Sequence, residues 1–138
     1  MMRVVLDTNI IISSALGGAL ELILDKWAED AFTVIITSDI LVEYFEVLNR
    51  PKFRLKQATI DRIIRYSYQF AEFVIPEERI QFVEADPKDD KFLELAVNGK
   101  ADFLVTGDHD LQVLHPFRGI PILAPRMFLE VELGYNHQ

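Results

Sequence analysis

The chain has 138 residues, half of them hydrophobic, enough apolar material to fill the core of one domain. It lacks cysteine, which excludes a disulfide framework, a thiolate metal site and a thiol nucleophile. A net charge of −8 argues against nucleic-acid binding over a wide basic surface. No apolar run approaches about 18 residues and no segment reads as a signal peptide, so a soluble, cytoplasmic protein without a membrane span is expected.

Residues 4–12, Val-Val-Leu-Asp-Thr-Asn-Ile-Ile-Ile, read as a buried strand opening into a helix. A run apolar on every face belongs in the middle of a parallel sheet, covered on both sides. Asp7 then falls at the carboxyl end of the central strand, where open α/β sheets bind ligands. A carboxylate there needs a cation or a hydrogen-bond donor; equally, Asp7 or Thr8 serves as the cap of the following helix. Gly17-Gly18 interrupt that helix, and Leu20, Ile23, Leu24, Trp27, Ala28 and Ala31 recur at helical spacing over about 19–30. Residues 32–37 are a second, β-branched strand. Thr37 or Ser38 caps a helix over 39–49, ended by Pro51 and apolar at Ile40, Leu41, Tyr44, Phe45, Val47 and Leu48. Glu43 lies within it, one turn from its start.

Residues 51–58 form a basic connector. Between 50 and 65 stand Arg50, Lys52, Arg54, Lys56, Arg62 and Arg65 against Asp61 alone, so one basic segment sits on an otherwise acidic body. An amphipathic helix follows from 59 to about 73, with Ile60, Ile63, Ile64, Phe70 and Ala71 on its inner side. Residues 73–75 make a short strand closed by Pro76, and 76–86 an acidic loop with an apolar piece at 80–83. Asp86-Pro87 reads as an N-cap with proline at the first helical position. That helix runs to Asn98, with Gly99 as its C′ residue. Residues 103–106 are the next buried strand, breaking at Gly107 into Asp108-His109-Asp110 and a short helix around 111–114. Residues 120–123 are an edge strand, as Pro121 requires, and Pro125 starts a last helix through Leu133. Strands alternating with helices specify an α/β fold with a largely parallel sheet.

Asp7 and Asp108 both follow buried strands, so both lie at the carboxyl edge. Helices in such a fold run antiparallel to the strands, so Glu43 and Asp90, each in the first turns of its helix, reach the same edge. Carboxylates about 5 Å apart, at an effective dielectric near 20, repel by roughly 3 kcal/mol per pair. Protons or divalent cations must neutralise such a cluster. An all-oxygen donor set favours Mg²⁺ or Mn²⁺ over zinc, and His109, His115 and His137 lack the paired spacing of a zinc site.

Four segments, Val5-Leu6-Asp7-Thr8-Asn9, Ser38 with Glu43 five positions on, Asp89-Asp90-Lys91-Phe92-Leu93-Glu94-Leu95-Ala96 and Leu104-Val105-Thr106-Gly107-Asp108-His109-Asp110-Leu111, resemble the motifs of PIN-domain ribonucleases. They occur in the family's order over almost the whole chain, and they are similar to those of the VapC-like toxins of prokaryotic toxin–antitoxin systems. The resemblance implies a single domain over 1–138, an α/β/α sandwich around a mainly parallel sheet of four to five strands. It implies a Mg²⁺- or Mn²⁺-dependent nuclease in which Asp7, Glu43 and Asp90 match the core acidic residues. Asp108 matches the fourth, with Asp110 as its near alternative. The metal ligands implied are Asp7, Asp90 and Asp108 or Asp110, with Asn9 and Thr106 at polar positions behind them. Metal-assisted hydrolysis of RNA follows, without a side-chain nucleophile. The family also implies a homodimer and a cognate antitoxin. Arg50, Lys52, Arg54, Lys56, Arg62 and Arg65 then read as a flexible flap that contacts RNA phosphates.

Two other classes bear on the same residues. A phosphatase of the haloacid-dehalogenase type requires a second Asp two positions after the first, where this chain has Asn9. A non-catalytic module of PIN-like fold, binding RNA or a protein, requires none of the acidic positions.

Overall fold

Three consecutive apolar residues recur at the heart of each principal strand, and the computed structural model, which describes residues 1–18, 20–81 and 89–134, buries them in one sheet. The Asp86-Pro87 helix start, residues 82 and 83 of the apolar piece and His137 lie outside the described residues. The strands are β1 (Arg3–Leu6), β2 (Thr33–Ile36), β3 (Glu72–Phe73), β4 (Phe103–Val105) and β5 (Ile122–Leu123). They are ordered β3-β2-β1-β4-β5, and every pairing is parallel. β1 is central, and Val4, Val5 and Leu6 are fully buried, as a strand covered on both faces demands. β5 is an edge strand.

The helices are α1 (Thr8–Leu16), α2 (Glu21–Ala28), α3 (Ser38–Leu48), α4 (Gln57–Phe70), α5 (Asp90–Asn98), α6 (His109–Gln112) and α7 (Pro125–Met127). α1 packs on α2 and α3, α3 packs on α4, and α5 packs on β1 and β4. Together they flank the sheet, as the family resemblance implies. Thr37 caps α3, its hydroxyl accepting from the Ile40 N–H at 3.1 Å. Tyr44, in the middle of α3, is fully buried and donates its hydroxyl to the Leu6 carbonyl. That bond ties α3 to the end of the central strand and brings the neighbouring Glu43 to the same place. No single helix among the described residues is long and apolar enough to cross a membrane.

Three local expectations are corrected. Phe70 is 58 % exposed, whereas Ser67 is fully buried on the inner side of α4. The buried line is Ile60, Ile63 and Ser67, spaced three and four apart; Phe70 continues that spacing as the last residue of α4, but its ring lies against Tyr66, with centroids 4.7 Å apart, and stays exposed. Gly99 ends α5 with φ −87°, and Lys100 takes the left-handed conformation with φ 52°. Glycine is required at 99 for space: a Cβ there would stand 2.5 Å from Ile35 Cδ1 and 3.0 Å from the Leu95 carbonyl. The last helix gives way after Met127 to a wider π-turn over Phe128–Glu132, closed by Leu133 N–H on the Phe128 carbonyl at 3.1 Å. Phe128 is buried there edge-on to Phe32, with centroids 5.3 Å apart. The basic connector contains a 3₁₀ turn over Pro51–Phe53. Proline supplies the preset φ of that turn.

Candidate active site

Asp7 ends β1 and caps α1. Its Oδ1 accepts from the Asn9 backbone N–H at 3.2 Å, and its own N–H donates to the Val105 carbonyl at 3.1 Å. Cap and site are thus the same residue. Asp7 is only 4 % exposed, and its Oδ2 accepts the hydroxyl of fully buried Thr106 at 2.6 Å. The Thr106 oxygen accepts in turn from the Asp108 N–H at 3.0 Å. A hydroxyl has one proton to give, so this arrangement commits the Thr106 proton to Asp7. Gln112 Nε2 holds the Thr106 carbonyl at 2.8 Å. Adjacent strand ends are thereby joined through one threonine, with Asp7 and Asp108 on either side of it.

Asp108 caps α6, its Oδ1 accepting from the Asp110 N–H at 2.9 Å. It is half-buried, whereas Asp110 is exposed. Burial pushes the Asp7 carboxyl above its ordinary value; hydrogen bonds from Thr106 and the Asn9 N–H oppose the shift, and the charges of Asp108 and Glu43 add to it. Of the two late aspartates, Asp108 is therefore the one whose charge bears on Asp7. The Asn9 side chain is exposed, and its part in these contacts is played by its backbone N–H.

Glu43 reaches the edge from α3. It accepts from the Thr8 hydroxyl on one oxygen and from the Lys91 ammonium on the other. Lys91 also lies over the Phe92 ring, 5.4 Å from its centroid. Burial pushes the Tyr44 phenol up, and the charges of Asp7 and Glu43 push it further. Asp90 is 8 % exposed in the first turn of α5, one residue before Lys91. Sequence reasoning missed Thr8, weighed only as a cap, and Lys91, which stood inside a quoted motif without a role. Among the described residues no three carboxylate or histidine groups stand close enough together to hold a metal ion.

The remaining candidates lie elsewhere. His115 is structural: its Nδ1 accepts from the Ile122 N–H at 2.9 Å, supporting β5. Arg50, Lys52, Arg54, Lys56, Arg62 and Arg65 are all exposed, and none forms an ion pair with a described residue. Arg50 follows the far end of α3, two helical turns and about 10 Å along the axis from Glu43. Arg62 borders a groove between α2 and α4 that also contains Glu21, Asp25, Trp27 and Tyr66.

The model of the PIN domain family matches residues 3–110, a span that holds every acidic residue of the site. The chain belongs to the PIN domain family. PIN domains are nucleases as a class and generally use divalent metals. No curated protein is similar enough to count as a match. Within this PIN domain the matched span covers β1 to β4 and stops in α6, so β5 and the π-turn lie beyond it.

Proposed function

We propose that this PIN domain is a Mg²⁺- or Mn²⁺-dependent endoribonuclease, the toxin of a VapC-like toxin–antitoxin pair, working as a homodimer under a cognate antitoxin. The observation that carries this reading is the juxtaposition of Asp7, Glu43 and Asp108 at the carboxyl end of the central strand, where the latter two raise the proton affinity of the first. The donor set fits the ion in its chemistry: every candidate side chain, Asp90 included, presents carboxylate oxygen, which hard divalent cations prefer. Asp7, Asp90 and Asp108 would hold it, with Glu43 completing the acidic wall. A bound divalent cation supplies activated water at neutral pH and offsets phosphate charge.

The chain's own residues do the rest. Thr106 keeps Asp7 oriented by donating to Oδ2 and keeps the Asp108 backbone in register by accepting from its N–H. Glu43, fixed by Thr8 and by the Tyr44 anchor, faces the same space. The exposed basic residues from Arg50 to Arg65 contact phosphates along a single strand and set affinity without reading bases. The exposed side chains of Val42, Phe45, Tyr68 and Phe70 supply apolar area of the kind a dimer covers.

The test is cleavage of single-stranded RNA by the purified protein. Activity is expected with Mg²⁺ or Mn²⁺, lost in EDTA, and lost in Asp7→Asn and Asp90→Asn with the fold retained by circular dichroism. Turnover at the wild-type rate in Asp90→Asn overturns the assignment. Two observations favour a second reading, a PIN-like binding module: Glu43 is already paired with Lys91, and the described residues hold no closed metal cluster. RNA binding without cleavage in either metal would select that reading.

A further inference from the structure

We propose that Lys91 is a tethered counter-ion of the acidic pocket, and that a divalent cation binds by displacing its ammonium from Glu43. Without an ion, the carboxylates gathered at the carboxyl edge repel one another, and the chain meets part of that charge internally. The Lys91 ammonium reaches across from α5 to the Glu43 carboxylate on α3, a contact between residues 48 positions apart in sequence. This pair does more than decorate the surface, because Glu43 is also held by Thr8, the residue next to Asp7. As long as the ammonium sits there, Glu43 is a poor partner for a second cation.

The structure also gives the displaced ammonium somewhere to go. Lys91 lines an open cleft of about 270 Å³ whose wall includes Asp39 and Glu94. Glu94 is three residues on from Lys91 and therefore on the same face of α5. A change of rotamer exchanges Glu43 for these carboxylates, so release does not strand a buried charge. The side chain is 35 % exposed, and water screens the pair in either position. The competition is therefore moderate, a threshold on metal affinity instead of a block.

This inference rests on the proposed metal-dependent function, and its experiment separates the two. Mn²⁺ binding is measured on the full chain without RNA, at fixed neutral pH, from the electron paramagnetic resonance signal of the free ion. Wild type is compared with Lys91→Met, Lys91→Arg and Asp7→Asn. Lys91→Met is expected to bind Mn²⁺ about tenfold more tightly than wild type, a change of about 1.4 kcal/mol. Lys91→Arg, which keeps the charge, is expected to remain within about twofold. If Lys91→Met does not fold, Lys91→Gln carries the same expectation. Wild type that binds Mn²⁺ in an Asp7-dependent way, with Lys91→Met equal or weaker, overturns the counter-ion alone. Absence of Mn²⁺ binding in every variant overturns the metal-dependent reading together with it. Binding by Lys91→Met but not by wild type supports both.

Discussion

Asp7→Asn tests how the acidic pocket is held together in the absence of a cation. Asparagine caps a helix about as well as aspartate, so the bond from the Asn9 N–H survives and the substitution removes mainly charge. Removing the charge relieves first the burial of a carboxylate and then its repulsion from Asp108 and Glu43, together on the order of 2–3 kcal/mol once Lys91 has offset part of the Glu43 charge. Against it stands the loss of the bond accepted from Thr106, because the amide nitrogen that replaces Oδ2 donates and cannot accept, a loss of about 1–1.5 kcal/mol. The net expectation is a gain of about 1 kcal/mol near pH 7, which for a domain of this length is about 3–5 °C in Tm.

The pH dependence follows from the direction of the Asp7 shift. A carboxyl raised above its unfolded value binds, in the native state, a proton that the unfolded chain has released. Native stability therefore falls as pH rises through the interval between the two values, and the cost is fully present above it. The advantage of Asp7→Asn should be full above the raised Asp7 value and fade as pH falls through it toward the ordinary carboxyl range near about 4. Urea unfolding followed by circular dichroism at both ends of this range measures it. A variant less stable than wild type near neutrality, or an advantage that persists undiminished in acid, refutes the reasoning.

Thr106→Val keeps the shape but strips the buried Asp7 carboxylate of its hydroxyl donor, at an expected cost of about 1.5–3 kcal/mol near pH 7 and less in acid; denaturant titration at two pH values checks it. Gly99→Ala should destabilise by about 1–3 kcal/mol through overpacking, and adding Ile35→Val, which removes the methyl that the new Cβ meets, should recover part of that in a double-mutant cycle. Replacing Arg50, Lys52 and Arg54 together by alanine should flatten the slope of log K against log salt for single-stranded RNA by up to about two units, at roughly 0.7 per lost contact. Ca²⁺ in place of Mg²⁺ blocks cleavage in that measurement, and an unchanged slope assigns the charges to solubility or to an acidic partner. Light scattering at tens of micromolar should report a dimer, and a monomer mass removes the homodimer from the proposal.

The fold was legible because its strands are short runs apolar on every face. Val4-Val5-Leu6 and Phe103-Leu104-Val105 could only sit inside a parallel sheet, and the polar residues after them had to emerge at its carboxyl edge. Asp7, Thr106 and Asp108 follow from that alone. Glu43 was legible in a weaker sense: antiparallel helices bring the start of α3 to the same edge, but the Tyr44 bond to Leu6 that fixes it depends on packing. The choice between Asp108 and Asp110 was not legible, since both are acidic and two residues apart. In the structure Asp108 takes the cap position of α6 and Asp110 is exposed. At Gly99 the helix-end rule gave the right residue for the wrong reason, because the side chains of Ile35 and Val74 are brought there by other elements.

Lys91 was the least legible, and physical chemistry says why. A lysine after two aspartates reads as solvated surface, and its partner lies on another helix, beyond any local periodicity. In the proposed nuclease, α3 joins two kinds of charge that the net value of −8 conceals. Its first turns bring Glu43 to the acidic pocket, and its far end delivers Arg50 about two turns away, where the basic segment begins. A strand of RNA held by that segment meets positive charge before it meets carboxylate. The pocket itself repels phosphate until a cation enters. Salt should therefore weaken binding through the basic segment, whereas metal should govern cleavage through the pocket. An acidic protein can in this way bind a polyanion without a basic surface overall, provided the two charges are held apart by a rigid element, and eleven residues of helix supply that separation.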